Sequence, residues 1–232
     1  MKAVLLAAGL GSRLRPLTDT VPKCMLEVGG RPLLGIWLDE LERAGADEVL
    51  VNLHHLPGVV REYVDGRGGP PTVRLFAEPQ LLGSAGTLAA NRDWLAAEDF
   101  FLACNADNLT DFSVASLVDA HRSGGAEATL TAFRSPDPSS GGVLETDQAG
   151  WLTGFAEKPA EPVSDLVNAG IYAFSPALLE EIGPPPADIG YDLLPRLTGR
   201  ARVVPVPGYF RDIGTVESYR LAREEWPAVA SR

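Results

Sequence analysis

Through its first 134 residues this chain alternates apolar, strand-like runs with helix-spaced stretches, and few folds accept that pattern. The strand-like runs are "KAVLLAA" (2–8), "EVLVNL" (48–53), "TVRLFAE" (72–78), "FFLACNAD" (100–107) and "EATLTAF" (127–133). Between the first two lies "LLGIWLDELERA" (33–44), whose apolar positions 33, 34, 37, 38 and 41 have helical spacing, with Gly45 as a stop. Further helices are expected near 57–65, over 83–97 and around 113–122. Strand and helix in strict turn predict a parallel sheet with helices on both faces. The rhythm then changes. A hairpin turning at 147–150, a strand over 167–174, short helices at 176–182 and 190–197, late strands in 201–207 and 209–213 and a closing helix over 216–226 follow, with 227–232 as a frayed tail.

At 232 residues the chain suits one large domain or at most two small ones, and 45% hydrophobic with 22% charged residues makes it globular. No apolar run approaches the ~20 residues of a membrane span. Gly9 and Arg13 cut the first apolar run short, so it reads as a buried first strand of a cytoplasmic protein rather than a leader. Cys24 and Cys104 make no metal-type spacing and read as buried free thiols. A net charge of −11 argues against a nucleic-acid partner. Against that background, residues 1–31 hold Lys2, Arg13, Arg15, Lys23 and Arg31 against Asp19 and Glu27, a local excess of +3 that suits a small polyanion. There are only three lysines, at 2, 23 and 158, beside seventeen arginines. A lysine kept in such a chain can serve as a compact point charge rather than a planar fork.

Ligands of a parallel α/β sheet sit beyond the carboxyl ends of its strands, and four strings fall there. The first is the loop 9–23, where glycines let backbone amides approach phosphate oxygens and arginines supply charge. It is not a P-loop, and it is not the dinucleotide fingerprint, whose third glycine is here Leu14. The second is Gly83-Ser84-Ala85-Gly86-Thr87, small enough for a flat ring; taken alone it reads first as a helix start capped by Ser84. The third is Asn105-Ala106-Asp107-Asn108, where Asp107 is either a metal-holding carboxylate or a turn cap. The fourth comprises Glu157-Lys158-Pro159, Asn168-Ala169-Gly170 and Asp212-Ile213-Gly214-Thr215. His54, His55 and His121 lack zinc spacing, and no serine sits in a nucleophile elbow. Chemistry that uses cations and a metal but no protein nucleophile fits best.

"LAAGLGSRLRPLTDTVPK" resembles the signature loop of the sugar-1-phosphate nucleotidyltransferases. "LLGSAGTL" is similar to the L-G-T-A-G element of their mannose-1-phosphate and heptose-1-phosphate guanylyltransferase branch, and "FAEKP", "NAGIY" and "RDIGT" resemble the later elements. The resemblance covers residues 1 to about 226. Two departures are Ala106, where many relatives have glycine, and Ser84, where threonine is commoner. The resemblance implies an α/β fold, a doubly wound, mostly parallel mixed sheet of Rossmann-like type with a small β-rich sugar-binding insertion. The nucleotide part would be about 1–134 and the sugar part about 135–215 of one domain over 1–226.

The resemblance also implies transfer of a nucleotidyl group, from GTP by preference, to a mannose- or heptose-type sugar 1-phosphate with Mg²⁺ as cofactor. Leu6, Ala8, Gly9, Gly11, Ser12, Arg13, Lys23, Gly83, Ser84, Ala85, Gly86 and Asp107 would bind the nucleotide. Asn108, Gly142, Glu157, Lys158, Asn168 and Gly170 would bind the sugar phosphate, and Asp107 and Asp212 the metal. Arg13, Lys23, Asp107, Lys158 and Asp212 would carry catalysis. Partners would be the two substrates, with neither nucleic acid nor membrane and with room for a homodimer. Uridylyl, thymidylyl or cytidylyl transfer is the nearest alternative, and a non-catalytic nucleotide-sugar sensor is the alternative of another class.

Overall fold

The computed structural model describes residues 1–229. In chain order the strands and helices begin with β1 (Lys2–Leu6), β2 (Glu27–Val28), β3 (Arg31–Pro32), α1 (Leu33–Arg43), β4 (Glu48–Leu53), α2 (Pro57–Arg67) and β5 (Thr72–Ala77). Next come α3 (Ser84–Ala90), α4 (Arg92–Leu95), β6 (Phe101–Asn105), β7 (Asn108–Thr110), α5 (Val114–Gly124) and β8 (Ala128–Arg134). The chain ends with β9 (Gly142–Thr146), β10 (Leu152–Glu157), β11 (Leu166–Phe174), β12 (Ala201–Pro205), β13 (Phe210–Asp212) and α6 (Val216–Val229). The fold is α/β with a mixed sheet, as expected. Contacts divide it into two units, each assembled from discontinuous segments rather than from two consecutive parts. No helix among the described residues is long and apolar enough to cross a membrane.

The first unit holds Met1–Leu81, Cys104–Val114 and the chain from Gly208 onward. Here β1, β4 and β5 run parallel, with Lys2 opposite Glu48 and Glu48 opposite Thr72. Ala3, Val4, Leu5, Val49, Leu50 and Val51 are fully buried, which is why β1 and β4 read as continuous apolar runs instead of alternating ones; β5, at the margin, is half open to solvent. The helix α1 buries Leu33, Leu34, Trp37, Leu38 and Leu41, the face its spacing announced. A second core joins Leu14, Leu26, Val28, Leu33, Leu109, Ile213 and Ala222. It anchors the loop after β1 from below through Leu14, and carries Tyr209, Tyr219 and Trp226 at its margin.

The second unit holds Leu82–Ala103 and Ala115–Pro207. β9 pairs antiparallel with β10, β11 antiparallel with both β8 and β9, and β12 parallel with β8. The register of β11 shifts between Asn168 and Tyr172, where Gly170 takes φ +69. Such a bulge re-aims the side chains beside it.

Several expectations are corrected. The helix expected over 83–97 is two, broken at Asn91 (φ −114, ψ 21), whose side-chain Nδ2 donates back to the Thr87 carbonyl at 2.9 Å. The helix expected over 190–197 is a π-type turn, Ile189–Leu193, followed by a 3₁₀ turn, Leu194–Leu197. The short pair β2 with β3 escaped the periodicity altogether, and so did β7, the partner of β13 in the strand expected over 209–213. The closing helix continues past 226 to Val229, into the stretch expected to be a tail; 230–232 lie outside the described residues.

Leu50→Ala removes a fully buried side chain from the central strand of the parallel trio. It should cost ~2–5 kcal/mol in urea unfolding. Val163→Ala, at a position 72% exposed, should stay within ~0.5 kcal/mol of the parent.

Candidate functional site

In the first unit the loop after β1 is shaped by its glycines and held by side chains from elsewhere in that unit. Gly11 takes φ +62 and starts the 3₁₀ turn Ser12–Leu14. A Cβ there would lie 2.8 Å from the Thr18 methyl, so glycine is required both by conformation and by space. Buried Thr18 donates its hydroxyl to the Gly11 carbonyl at 2.7 Å, and a His55 ring nitrogen lies 2.8 Å from the Thr18 carbonyl. At the loop's base the Ala7 amide donates to Asn52 Oδ1 at 2.6 Å, while Asn52 Nδ2 donates to Glu78 Oε1 at 2.8 Å. Asn52 and Glu78 are both 4% exposed, each at the end of an apolar strand. Asn52 and Glu78 stand in no motif of the sequence, Thr18 lies in the signature loop with no role assigned to it, and His55 is weighed there only as a zinc ligand. The available signal was a lone polar residue ending an apolar run.

Lys23 opens the 3₁₀ turn Lys23–Met25, and its side chain is 11% exposed. Its ammonium donates to Asp107 Oδ2 at 2.5 Å and lies 3.7 Å from Asp212 Oδ1. The two aspartates meet because β7 pairs with β13, placing Asp212 opposite Asn108, and the Ile213 amide donates to the Asp107 carbonyl at 2.9 Å. Arg13 and Asp212 crowd the same spot. A Cβ on Gly214 would lie 3.0 Å from Asp212 Oδ1 and 3.2 Å from Arg13 Nη2. The surrounding protein and the Asp107 charge push the Asp212 carboxyl above its usual range, although its side chain is half open to solvent; Lys23 and Arg13 pull it down. Leu6, Gly9, Lys23, Cys24, Ala106 and Asp107 line a small cleft here, beside buried Ala8.

Thus Arg13, Lys23, Asp107 and Asp212 are brought together. Arg15 is not: it pairs with Asp19 at 3.3 Å on the open surface. Asn108 is buried, and its carbonyl accepts from Trp37 Nε1 at 2.8 Å. The donors at this point are carboxylate oxygens. The neighbouring Cys24 thiol is pushed up to about 12, chiefly by burial, and stays protonated. Two carboxylates without thiolate or imidazole suit a hard divalent cation that takes its remaining ligands from water and phosphate. Among the described residues no group of three or more His, Cys, Asp or Glu side chains converges for a metal.

The second unit holds the other predicted residues. Glu157 ends β10 with its side chain only 15% exposed, and Lys158 follows at φ +46. Burial pushes the Glu157 carboxyl up, Lys158 lowers it and Asp188 raises it further. The Lys158 ammonium is 3.9 Å from Glu157 Oε1. Two glycines wall the carboxylate: a Cβ on Gly142 would lie 2.7 Å from Glu157 Oε2, and one on Gly190 2.5 Å. Asn168 Oδ1 accepts from the Gly170 amide at 3.1 Å and its Nδ2 donates to the Tyr172 hydroxyl at 2.6 Å, so its carboxamide is fixed by the bulge.

The expected cap at Ser84 is corrected. Gly83 (φ +78) occupies the N-cap position of α3 with no side-chain bond, and a Cβ there would lie 2.2 Å from the Ala187 carbonyl oxygen. Ser84 instead donates to Asp188 Oδ2 at 2.8 Å and accepts from the Ile189 amide at 2.7 Å. Ala85 and Gly86 are buried behind it.

Thr18→Val keeps the shape at 18 but deletes the hydroxyl bonded to Gly11. It should cost ~0.5–1.5 kcal/mol of stability and speed amide exchange at 12–14. Unchanged exchange would show that the loop holds its shape without this bond.

Comparisons with known proteins show the family and the fold. The chain is 33% identical over 229 residues to Probable mannose-1-phosphate guanylyltransferase 3 of Oryza sativa subsp. japonica, covering 94% of this chain and 63% of that protein. It is 32% identical over 226 residues to the mannose-1-phosphate guanyltransferase of Schizosaccharomyces pombe, covering 94% and 62%. The chain therefore spans a little under two thirds of the length of these relatives. The crystal structure of HddC from Yersinia pseudotuberculosis shares its fold, with a TM-score of 0.81 at 23% identity over 97% of this chain and 99% of that one. The family model for nucleotidyl transferases matches residues 2–227, and the chain belongs to that family.

Proposed function

We propose that this protein transfers a nucleotidyl group from an NTP, with GTP preferred, to a sugar 1-phosphate of the mannose or heptose type. The observation that carries the reading is the meeting of Lys23 and Arg13 with Asp107 and Asp212 beside a glycine-turned loop. An anionic oxygen of the sugar phosphate attacks the α-phosphorus of the NTP. The bond to the β-phosphate oxygen breaks, and pyrophosphate leaves. The nucleophile is already ionised near neutral pH, so no protein base is needed. The protein's task is to align two polyanions and offset their repulsion.

Under this reading the first unit handles the triphosphate. Backbone groups of Gly9, Gly11 and Ser12, with Arg13, cradle the β- and γ-phosphates, and Lys23 moves its charge from the aspartates to the reacting phosphates. Asp107 and Asp212 would hold Mg²⁺, which supplies charge neutralisation on the phosphate oxygens when bound. The second unit handles recognition. Lys158 binds the sugar phosphate, Glu157 and Asn168 read sugar hydroxyls, and the small residues 83–86 leave room for a purine. The guanylyltransferase names of the relatives support GTP and mannose 1-phosphate. The existence of a GMP-PN complex of HddC, a protein of the same fold, supports the guanine base alone.

Pyrophosphate release should be measured for four NTPs against several sugar 1-phosphates. GTP should exceed ATP by at least ~10-fold in kcat/KM, because a site that pairs with the guanine edge leaves ~1–3 kcal/mol per buried group unpaired with the wrong base. A grid in which UTP, CTP or dTTP leads would overturn the base assignment; no release with any pair would overturn the reading. Asp107→Ala should fold and lose at least ~10²-fold in rate, and chelation of divalent ions should silence the parent.

The two site lysines should differ in kinetics. Lys158→Ala should mainly raise the KM for sugar 1-phosphate, and Lys158→Arg should also be impaired, since a planar fork does not replace a point charge. Lys23→Ala should mainly lower kcat. Equal effects of both alanine variants on both substrates would show the roles to be wrongly divided.

A further inference from the structure

We propose that Asp188 is a positioning residue for sugar recognition: it ties the first turn of α3 to the turn that walls the Glu157 carboxylate, so that residues 83–86 and Glu157 respond as one element. The inference rests on the proposed function for its substrate and on the geometry of the second unit for its mechanism. Every atom of the Asp188 side chain that can accept a bond is engaged. Oδ2 accepts from the Ser84 hydroxyl at 2.8 Å, and Oδ1 accepts from the Gly190 amide at 2.8 Å and the Tyr191 amide at 3.3 Å. Ser84 closes the circuit by accepting from the Ile189 amide at 2.7 Å. The backbone is stitched in the same place, with the Ala187 amide donating to the Leu82 carbonyl at 2.9 Å and the Gly86 amide to the Ala187 carbonyl at 3.0 Å.

The consequence falls on Gly190. It lies in the π-type turn Ile189–Leu193, a geometry that is rare, short and often found at functional sites. Its amide is one of those the Asp188 carboxylate holds. Its missing Cβ is the space the Glu157 carboxylate occupies, since a Cβ there would lie 2.5 Å from Oε2 and 3.1 Å from Cδ. The position of Gly190 therefore sets how far the Glu157 carboxylate can reach. Asp192 supports the same turn, its Oδ2 accepting from the Asp188 amide at 2.7 Å. A side chain that only capped a helix end would need none of the contacts to Ser84, 104 residues away in sequence.

The test uses the intact protein in five forms: parent, Asp188→Ala, Asp188→Asn, Glu157→Gln and the double variant Asp188→Ala/Glu157→Gln. Asp188→Ala should raise the KM for sugar 1-phosphate by about 5- to 20-fold while kcat stays within about threefold. Asp188→Asn keeps an acceptor for the Gly190 amide and should fall between parent and alanine. The double variant should sit within about twofold of the worse single variant, because both changes remove one interaction. Hydrogen exchange at 189–191 should quicken in Asp188→Ala, whatever the activity. A sugar KM unchanged in both Asp188 variants, or single effects that multiply in the double, overturns the inference and leaves the proposed function standing. A parent that releases no pyrophosphate from any NTP and sugar 1-phosphate overturns the proposed function. Should the alanine variant fail to fold, the asparagine variant decides by the same KM criterion.

Discussion

Two carboxylates brought close together repel, and each raises the cost of ionising the other. Asp212 stands beside Asp107 at that cost because the Lys23 ammonium lies against both, at 2.5 and 3.7 Å. Much of the first unit serves to make this meeting possible. The three groups come from segments far apart in sequence, and each is delivered by a short element: a single 3₁₀ turn for Lys23 and the β7–β13 pair for the aspartates. Such elements have little stability of their own. They are held by the core of Leu14, Leu26, Val28, Leu33, Leu109, Ile213 and Ala222, and by α6 behind it. The Arg211–Glu225 pair fastens that helix to β13 with bonds of 2.8 and 2.9 Å. Burial distant from the charges is thus what keeps the charges together.

The loop after β1 shows the same economy in its backbone. A glycine-rich segment without regular hydrogen bonding would sample many conformations. Here Thr18, Asn52 and a His55 ring nitrogen bond to its carbonyl and amide groups, and Glu78 holds Asn52 in turn. Preorganised amides stabilise developing charge more than mobile ones, because no reorganisation is needed as the charge appears. The buried polar side chains and the glycines therefore belong to one device: the glycines permit the shape, and the polar residues select it.

Much of this architecture was legible in the sequence, and the limits of legibility are physical. The buried strands β1, β4 and β6 announced themselves because burial on both faces leaves a continuous apolar run, whereas β5, half open to solvent, mixes polar with apolar residues. Lys23, Asp107 and Asp212 could be picked out because each stands beside a glycine or proline or ends an apolar strand. A strand was expected over 209–213, where β13 lies, but its partner β7, three residues long, is too short to carry a period, and it is their pairing that brings Asp212 to Asp107. Ser84 read as a helix cap because local sequence favours that use; the competing partner, Asp188, is distant in sequence and gives no pattern. Gly142 and Gly190 matter for what they lack. A missing Cβ acquires meaning only when a carboxylate is seen to fill its place.

The scarcity of lysine also acquires a physical sense from the site. An arginine at 23 could grip one aspartate with two parallel bonds, and moving to another anion would mean breaking both. The ammonium of Lys23 makes one close contact and one longer one, so its charge is shared between neighbours rather than locked to either. Under the proposed reading that mobility is what the site needs, since the same charge must neutralise carboxylates before the triphosphate binds and phosphate oxygens afterwards. Lys158 stands at the other extreme of backbone cost, holding φ +46 where side-chain-bearing residues lose ~1–2 kcal/mol. A surface turn with no task would relax that strain by placing glycine there. Under the proposed reading, a long cation at a position that prefers glycine is kept for the charge it presents beside Glu157.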